Sequence, residues 1–129
     1  MWRRLTYNTM VVSDDIDRQL RALADPTRRS ILARTMGREY PVSELAELYP
    51  MSFAAVQRHV AVLEAAGLVS KRAEHRHRFV RARPERLDEV QAALAVLRDA
   101  WRERVERMHD VLADDDAGEA GGAVGETAR

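Results

Sequence analysis

The chain has 129 residues, enough for one domain, and its 21 Lys and Arg side chains balance 21 Asp and Glu side chains. It contains no cysteine, which excludes disulfide bonds, thiolate metal sites and cysteine nucleophiles. No apolar run is long enough to span a bilayer, and the amino-terminal stretch lacks the apolar core of a secretory signal. We therefore expect a cytoplasmic protein.

The neutral total hides an uneven distribution of charge along the chain. Residues 52–83 contain seven basic and two acidic side chains, whereas residues 84–116 contain five arginines and ten acidic side chains. A basic middle within a neutral chain favours a local face that binds a polyanion. The alternative is that arginine is simply common in proteins encoded by GC-rich DNA.

The amino-terminal residues 1–12 show no clear periodicity and are predicted to form a flexible arm. Met10 is itself a candidate translation start, which would make residues 1–9 dispensable. The folded domain is expected over residues 13–113.

Two capped helices are predicted after the arm. Ser13 is placed to cap the first, and Asp25 followed by proline marks the start of a second over residues 26–36. Arg28 and Arg29 lie in the first turn of the second helix, where cations oppose the helix dipole. We therefore expect either a DNA phosphate or an acidic neighbour as their partner. The inward-facing side chains are predicted to be Ile16, Leu20 and Leu23 in the first helix and Ile31, Leu32, Thr35 and Met36 in the second.

A short helix over residues 40–49, ended by Pro50, is predicted to precede a longer helix over residues 52–66. Ser52 is placed to cap the longer helix and Gly67 to end it. Two helices joined by a short turn are typical of a helix-turn-helix, in which the second helix reads DNA. The inward stripe of this second helix is predicted at Val56, Val60, Leu63 and Ala66.

The opposite face of helix 52–66 is flat and nearly free of carboxylates. Its small side chains surround one Gln and one Arg, which suits close approach to base edges in the DNA major groove. Gln57 is a candidate for pairing with adenine and Arg58 for pairing with guanine. The alternative is a core helix whose alanine-rich face packs on a neighbour. This face is predicted to contain Ala54, Ala55, Gln57, Arg58 and Ala61.

Three other residues of this helix complete the candidate DNA contacts. Ser52 is expected to cap the helix and also to be near a phosphate. Phe53 either meets a thymine methyl group or packs against the fold, and packing is the expectation. His59 is included as a candidate, although we expect a half-buried, hydrogen-bonded side chain.

A β-hairpin is predicted beside the reading helix, with strands over residues 68–72 and 78–81 and a polar, basic tip over residues 73–77. Such a hairpin is the wing of a winged helix, and its tip can reach the sugar-phosphate backbone or the minor groove. Contacts of this kind position a protein on DNA rather than specify a sequence. The candidate phosphate contacts, for each of which a solvated arginine is the alternative, are Arg72, Arg76 and Arg78.

One long helix is predicted over residues 85–113. Its apolar stripe is too long for so small a domain to cover, so we expect a partner helix, most simply that of a second copy. The alternative is that this helix folds back on the first helix. Residues 114–129 begin with acidic side chains, are rich in Gly and Ala, and are predicted to be disordered. The stripe consists of Leu87, Val90, Leu94, Leu97, Trp101, Val105, Met108 and Leu112.

The element order and four stretches of sequence resemble the ArsR/SmtB-type winged-helix repressors. The four stretches are residues 22–32, 42–46, 51–60 and 62–69. The resemblance is to the branch without metal ligands, whose last helix carries a Trp before an Arg-rich stretch, as at Trp101. It implies a homodimeric repressor that presents two reading helices to a palindromic operator. It also implies a dimer built by the first and last helices, which adds Ile16 and Leu20 to the dimerisation residues.

The metal-sensing members of this family carry cysteines on the helix that corresponds to residues 42–48, or His and acidic pairs on the last helix. Here residues 43–46 contain no cysteine, and His109 and Asp110 are adjacent and so point to different faces. The two histidines of the hairpin tip lack a third ligand, so no metal is expected. The family's tip usually has a Gly where His75 stands, and a His adopts positive φ only at some cost, so a wider tip is expected.

The sequence therefore predicts a mainly α-helical winged helix-turn-helix with a small β-hairpin and long terminal dimerisation helices. The expected function is sequence-specific DNA binding by a homodimeric repressor, through helix 52–66 and the basic wing 71–81. The alternative is a protein-interaction module that pairs through its last helix without reading DNA. An enzyme is not expected, because there is no Gly-rich phosphate loop and no nucleophile or carboxylate pair with a suitably spaced base. No cofactor and no membrane partner is expected.

Overall fold

The computed structural model describes the backbone of residues 14–127 and the side chains of residues 14–116. The predicted arm over residues 1–12 and the Ser13 cap lie outside the described residues. The chain divides into two compact units, one ending at Leu94 and the other starting at Ala95. The elements are α1 (Asp14–Leu23), α2 (Pro26–Gly37), β1 (Tyr40–Pro41), α3 (Val42–Glu47), α4 (Phe53–Ala65), β2 (Val69–Glu74), β3 (His77–Ala82), a 3₁₀ turn (Pro84–Arg86) and α5 (Leu87–Thr127).

Local capping signals determine where α2 and α4 begin and where α4 ends. The Asp25 carboxylate accepts the backbone N–H of Arg28 at 3.0 Å, and the Ser52 hydroxyl accepts that of Ala55 at 3.1 Å. Gly67 follows α4 with φ of +75°, the left-handed conformation that glycine adopts without steric cost. The predicted caps at these three positions are confirmed.

The hydrophobic core of the first unit is organised around α4, as the predicted stripe indicates. Val56, Val60 and Leu63 are fully buried, and Ala66 packs at the edge of the same cluster. Side chains from α2, α3 and the two long strands complete it. These are Ile31, Leu32, Val42, Leu45, Leu68, Val69, Val80 and Ala82.

Two predicted inward-facing residues point outward instead. Leu20 of α1 and Met36 of α2 are each more than 40% exposed. In α1 the buried positions are Ile16, Gln19 and Ala22, so the inward stripe has a spacing of three throughout. Gln19 faces inward in place of Leu20, because its Nε2 donates a hydrogen bond to Glu89 Oε2 at 3.0 Å. This hydrogen bond links α1 to the first turn of α5.

The sheet has three antiparallel strands in the order β1-β3-β2. Strand β1, within the predicted helix 40–49, pairs Tyr40 with Val80 and Pro41 with Phe79. A two-residue strand is too short to show alternation, and proline is tolerated on an edge strand. The helix therefore starts two residues later than predicted, at Val42.

The hairpin is longer and tighter than the sequence predicts. Its outermost pair is Glu74 with His77, so only His75 and Arg76 form the turn. The wider tip is therefore a wrong prediction. His75 does adopt positive φ, 55°, which the primed turns that close two-residue hairpins require at this position.

Helix α5 continues to Thr127, so the predicted helix end near Ala113 is wrong, and residues 114–127 have a helical backbone. No proline interrupts this stretch, but its three aspartates and four glycines are poor helix formers, so local propensity does not account for its helical backbone. Val90 is buried in the first unit. Seven large apolar residues farther along α5 are exposed, between 42% and 61%: Leu94, Leu97, Trp101, Val105, Met108, Val111 and Leu112. Among the described helices, none combines the length and hydropathy needed to cross a membrane.

Candidate nucleic-acid interface

A cleft of about 350 Å³ lies between α4 and the β2–β3 hairpin. Its helix side is formed by Phe53 and Gln57, one turn apart on α4, and α3 contributes its first two residues. Its hairpin side is basic. The lining residues are Val42, Ser43, Phe53, Gln57, Lys71, Arg76, His77 and Arg78.

Strand alternation explains which hairpin residues face the cleft. Lys71 pairs with Val80, and Arg78 pairs with Ala73. Since successive side chains point to opposite faces, Lys71 and Arg78 share the face of the buried residues Val69 and Val80. Lys71 and Arg78 lie closer to the hairpin tip than Val69 and Val80, beyond the edge of the core. The face of the hairpin that packs on the core near its base therefore forms the basic wall of the cleft near its tip.

The cations of this region differ in how far they are neutralised. Among residues 14–116, Arg76 and Arg78 have no carboxylate within 4.0 Å, while Lys71 Nζ lies 3.9 Å from Glu64 Oε1. Arg58 is exposed on α4 and likewise has no ion pair in this part of the chain, although it does not line the cleft. Positive charge is therefore available on the hairpin side of the cleft and on α4.

Arg72, a predicted phosphate contact, is engaged within the chain. Its guanidinium donates to Glu39 at 2.7 Å and to Glu74 at 2.5 Å, and lies 4.8 Å from the centre of the Phe79 ring. These two carboxylates raise the pKa of Arg72, and the hydrogen bond from Arg72 lowers the pKa of Glu39. Arg72 lies on the outer face of the hairpin and is neutralised there, so its role as a phosphate contact stays a prediction that these ion pairs disfavour.

The first turn of α4 presents both small and large side chains. Ala54 is exposed and Ala55 is half-buried, while the Ser52 hydroxyl is occupied by the cap. Phe53, expected to pack against the fold, is instead 48% exposed and lines the cleft. The packing expectation for Phe53 is therefore wrong.

His59 is half-buried, as predicted, but it contacts the start of α2 rather than the cleft. Its Nδ1 lies 3.4 Å from Arg28 Nη1 and 3.9 Å from Asp25 Oδ2. These contacts hold α4 against α2. His59 therefore supports the position of α4, and its contact with DNA stays a prediction.

The side chains of Arg28 and Arg29 donate to backbone carbonyls, which the sequence did not suggest, and Arg28 also lies near the carboxylate of Asp25 and lowers its pKa. Arg28 donates to the carbonyls of Ala22 at 2.7 Å and Arg21 at 2.9 Å, and Arg29 donates to that of Leu23 at 2.7 Å. These carbonyls belong to the last turn of α1, where cations also complement the helix dipole, and the Arg21 carbonyl accepts the backbone N–H of Ala24 as well. The pair therefore caps one helix from the first turn of the next.

Sequence reasoning missed three polar residues of the cleft, Ser43, Lys71 and His77. Lys71 could have been found by extending the alternation of the buried strand residues outward to the tip. Ser43 and His77 carried no such signal, because their place depends on how α3 and the turn fold. No group of three or more His, Asp or Glu side chains able to hold a metal ion occurs within residues 14–116. The absence of a metal stays a prediction.

Comparison with known proteins assigns the family. A family model described as a helix-turn-helix domain matches residues 23–72. The HTH-type transcriptional regulator Rv2034 of Mycobacterium tuberculosis is 46% identical over 56 residues, and the match covers 43% of this chain and 52% of that protein. The chain thus matches about half the length of this curated relative. A crystal structure of an ArsR family transcriptional regulator is 31% identical, with a TM-score of 0.65, over 69% of this chain and 92% of that one. The chain belongs to the ArsR family.

Other structures agree with this assignment of an ArsR-family winged helix. An ArsR-like transcriptional regulator from Rhodococcus sp. RHA1 is 27% identical, with a TM-score of 0.67, over 75% of this chain and 92% of that one. A homodimeric winged helix-turn-helix DNA-binding domain from Mycobacterium bovis is 25% identical, with a TM-score of 0.57, over 70% and 84%. The family and the fold are those of transcriptional regulators rather than enzymes, which confirms the expectation from the sequence.

Proposed function

We propose that this ArsR-family chain is a homodimeric transcriptional repressor that binds a palindromic DNA operator in the cytoplasm. The observation that carries the proposal is the cleft between α4 and the hairpin. There Gln57 lies opposite Arg78, with Arg76 at the tip, and neither arginine is neutralised within residues 14–116.

In this proposal α4 enters the major groove and reads base edges. Gln57 pairs with adenine and Arg58 with guanine, each in the bidentate geometry that these side chains allow. Ala54 and Ala61 are exposed and small, so the helix backbone can approach the base pairs closely. Carboxylates, which phosphates would repel, are absent from residues 53–63 of the helix.

The wing supplies contacts to the DNA backbone. Arg76 and Arg78 point from the tip and the cleft face of the hairpin, where phosphates that flank the groove would lie. Each arginine that neutralises a phosphate releases about one counterion, so these contacts add affinity without adding sequence preference. In this proposal the base contacts from α4 provide sequence preference, and the contacts of the hairpin with the DNA backbone provide affinity.

The exposed stripe of α5 supports a homodimer. Leu97, Trp101, Val105, Met108 and Leu112 are all more than 40% exposed, which is a large apolar surface for a chain in water. The similar domain from M. bovis is described as homodimeric. Leu20 of α1 is also exposed and available to a partner, whereas Ile16 is already buried within its own chain.

The palindromic form of the proposed operator follows from the symmetry of the dimer. Two copies related by a two-fold axis present two identical reading helices, so the DNA must offer inverted half-sites whose centres lie about 34 Å apart on one face. A dimer that occupies such a site within a promoter excludes the transcription machinery, which is the simplest form of repression.

The test of DNA reading is fluorescence anisotropy at low and near-physiological salt, with the DNA upstream of the coding sequence and a scrambled duplex of equal length. We expect tighter binding to the upstream DNA and a preference that persists at the higher salt. Equal binding, lost from both duplexes as salt rises, would leave only electrostatic attraction and favour the alternative of a protein-interaction module.

The test of the dimer is sedimentation analysis of two matched variants, Trp101→Asp and Arg102→Asp. Both place the same acid on the same turn of α5, but only the first lies in the apolar stripe. We expect Trp101→Asp to sediment as a monomer and to lose DNA affinity, while Arg102→Asp remains a dimer. A wild-type protein that sediments as a monomer at micromolar concentration would exclude the proposed assembly.

A further inference from the structure

We propose that Phe53 is a specificity residue whose ring contacts the 5-methyl group of a thymine in the major groove. The thymine lies within about two base pairs of the base that Gln57 reads. This inference rests on the proposed DNA-binding function and adds one base to the operator that the reading helix recognises.

The exposure of Phe53 has no explanation in the packing of the fold. Phe53 is the first residue of α4 and is 48% exposed, whereas Val56, Val60 and Leu63 of the same helix are fully buried. Met51, two residues earlier, packs against the core cluster. An aromatic ring left in solvent at the tip of a reading helix costs solvation free energy that a bound apolar group would recover.

The ring is also placed where base edges would lie. It lines the cleft together with Gln57 on the same helix and Arg78 on the hairpin. The other apolar side chain that lines the cleft, Val42, is buried. Phe53 is therefore the accessible apolar surface in a cleft that is otherwise polar and basic.

DNA offers one apolar group at the edges of its bases in the major groove, the methyl group of thymine. Phenylalanine is one of the side chains whose ring or methyl groups make this contact. The chemistry of the exposed ring therefore selects thymine, as the amide of Gln57 selects adenine.

Helix geometry limits how far apart these two contacts are. Phe53 and Gln57 are four residues apart, which is about 6 Å along the helix axis. Stacked base pairs are about 3.4 Å apart, so the two side chains span about two base-pair steps. The thymine and the adenine must accordingly lie close together within one half-site.

The experiment replaces thymine by deoxyuridine, which removes only the methyl group. The probe is a duplex selected by the full-length protein from a randomised pool, with each thymine of one half-site replaced in turn. Affinities are measured for the wild type, Phe53→Ala and Val62→Ala. Val62 is the matched control because it is an apolar residue of the same helix, 40% exposed, that does not line the cleft.

We expect one thymine at which deoxyuridine weakens wild-type binding about fourfold, the ratio that corresponds to burial of one methyl-sized group. Phe53→Ala should bind the thymine and deoxyuridine duplexes equally at that position, and Val62→Ala should behave as the wild type. Loss of Gln57 pairing by Gln57→Ala should relax the preference for an adenine within two base pairs of this thymine.

The outcomes separate this inference from the proposed function. A selected sequence that binds specifically, but shows no deoxyuridine effect or an effect that persists in Phe53→Ala, overturns the role of Phe53 alone. Failure of selection to enrich any sequence overturns the proposed function and this inference with it. A Phe53→Ala variant that loses affinity equally on all duplexes, with the deoxyuridine effect intact, would make the ring a positioning residue and overturn the methyl contact.

Discussion

The two faces of the hairpin carry similar numbers of basic residues but differ in what those residues can bind. On the cleft face, Arg78 has no carboxylate partner within residues 14–116. On the outer face, Arg72 donates to Glu39 and Glu74 and stacks on Phe79. Charge counted along the sequence therefore overstates the charge available to DNA, because Arg72 and Arg78, on opposite faces of the hairpin, differ in whether a carboxylate neutralises them.

The same distinction holds in the helical part of the first unit. The guanidinium groups of Arg28 and Arg29 donate hydrogen bonds to backbone carbonyls at the end of α1. Arg58 on α4 has no such partner among the described side chains. Arg58 on α4 and Arg78 on the adjoining side of the hairpin are thus both without an ion pair among the described side chains.

The largest expected effect comes from a matched pair on β3, Arg78→Ala and Arg81→Ala. Both side chains are exposed arginines of one strand, but Arg81 lies on the outer face. We expect Arg78→Ala to weaken DNA binding roughly tenfold near 0.1 M salt and to reduce the salt slope by about 0.9, as loss of one phosphate contact implies. Arg81→Ala should change neither quantity measurably.

Anisotropy titrations over a series of salt concentrations check this pair. Equal losses for Arg78→Ala and Arg81→Ala would mean that the hairpin acts as a diffuse basic surface, and the contrast between its faces would disappear. A loss for Arg78→Ala confined to one duplex sequence would instead indicate a contact to a base edge.

The second prediction concerns His75, which lies in the turn between β2 and β3 and has a φ of 55°. A left-handed conformation costs a residue with a Cβ about 1–2 kcal/mol, of which the greater chain entropy of glycine offsets part. We expect His75→Gly to raise the free energy of unfolding by about 1 kcal/mol, with a higher melting temperature. Arg76→Gly is the control, because Arg76 does not have positive φ and glycine there only adds entropy to the unfolded chain. Destabilisation by both variants would show that His75 is held by contacts that outweigh its backbone cost.

A smaller effect is expected for Arg72→Ala. Unlike Arg78→Ala, this variant should lower the stability of the fold and leave DNA binding unchanged. The variant loses two exposed ion pairs and the contact with the Phe79 ring, so the melting temperature should fall slightly. DNA affinity and its salt slope should stay at wild-type values. Thermal denaturation and anisotropy on the same preparation check both parts, and a reduced salt slope would return Arg72 to the phosphate contacts.

Much of the fold follows from local signals in the sequence. The caps at Asp25 and Ser52, the left-handed Gly67 and the stripe of α4 each depend on residues within a few positions, and each is found as predicted. The winged helix-turn-helix follows from their order.

Two of the failed predictions share one physical cause, which is dependence on residues distant in sequence. Gln19 is buried in place of Leu20 because Glu89, 70 residues later, accepts its hydrogen bond. Arg72 is neutralised by Glu39, 33 residues earlier, which directly precedes β1 in a segment that no periodicity marked. Strand alternation gives the face of a side chain, but its partner on that face depends on the tertiary fold.

The smallest expected effect is a pH dependence that Glu39 contributes through Arg72. The hydrogen bond from Arg72 holds the pKa of Glu39 below its usual value in the folded chain. The ion pair therefore adds stability that is complete above the unfolded pKa, about 4.3, and is lost as the pH falls through the lower folded pKa. We expect the melting temperature of Glu39→Gln to lie below that of the wild type at neutral pH and the two values to converge as the pH falls below about 4.

The matched control for this titration is Glu47→Gln, because Glu47 is exposed on α3 and has no ion pair within the described part of the chain. Its melting temperature should follow the wild type at every pH. Curves for Glu39→Gln and the wild type that stay parallel down to pH values below 4 would mean that the carboxylate adds nothing through its charge. The neutralisation of Arg72 would then have to come from Glu74, which lies on the same strand as Arg72 and needs no contact with β1 or the segment before it.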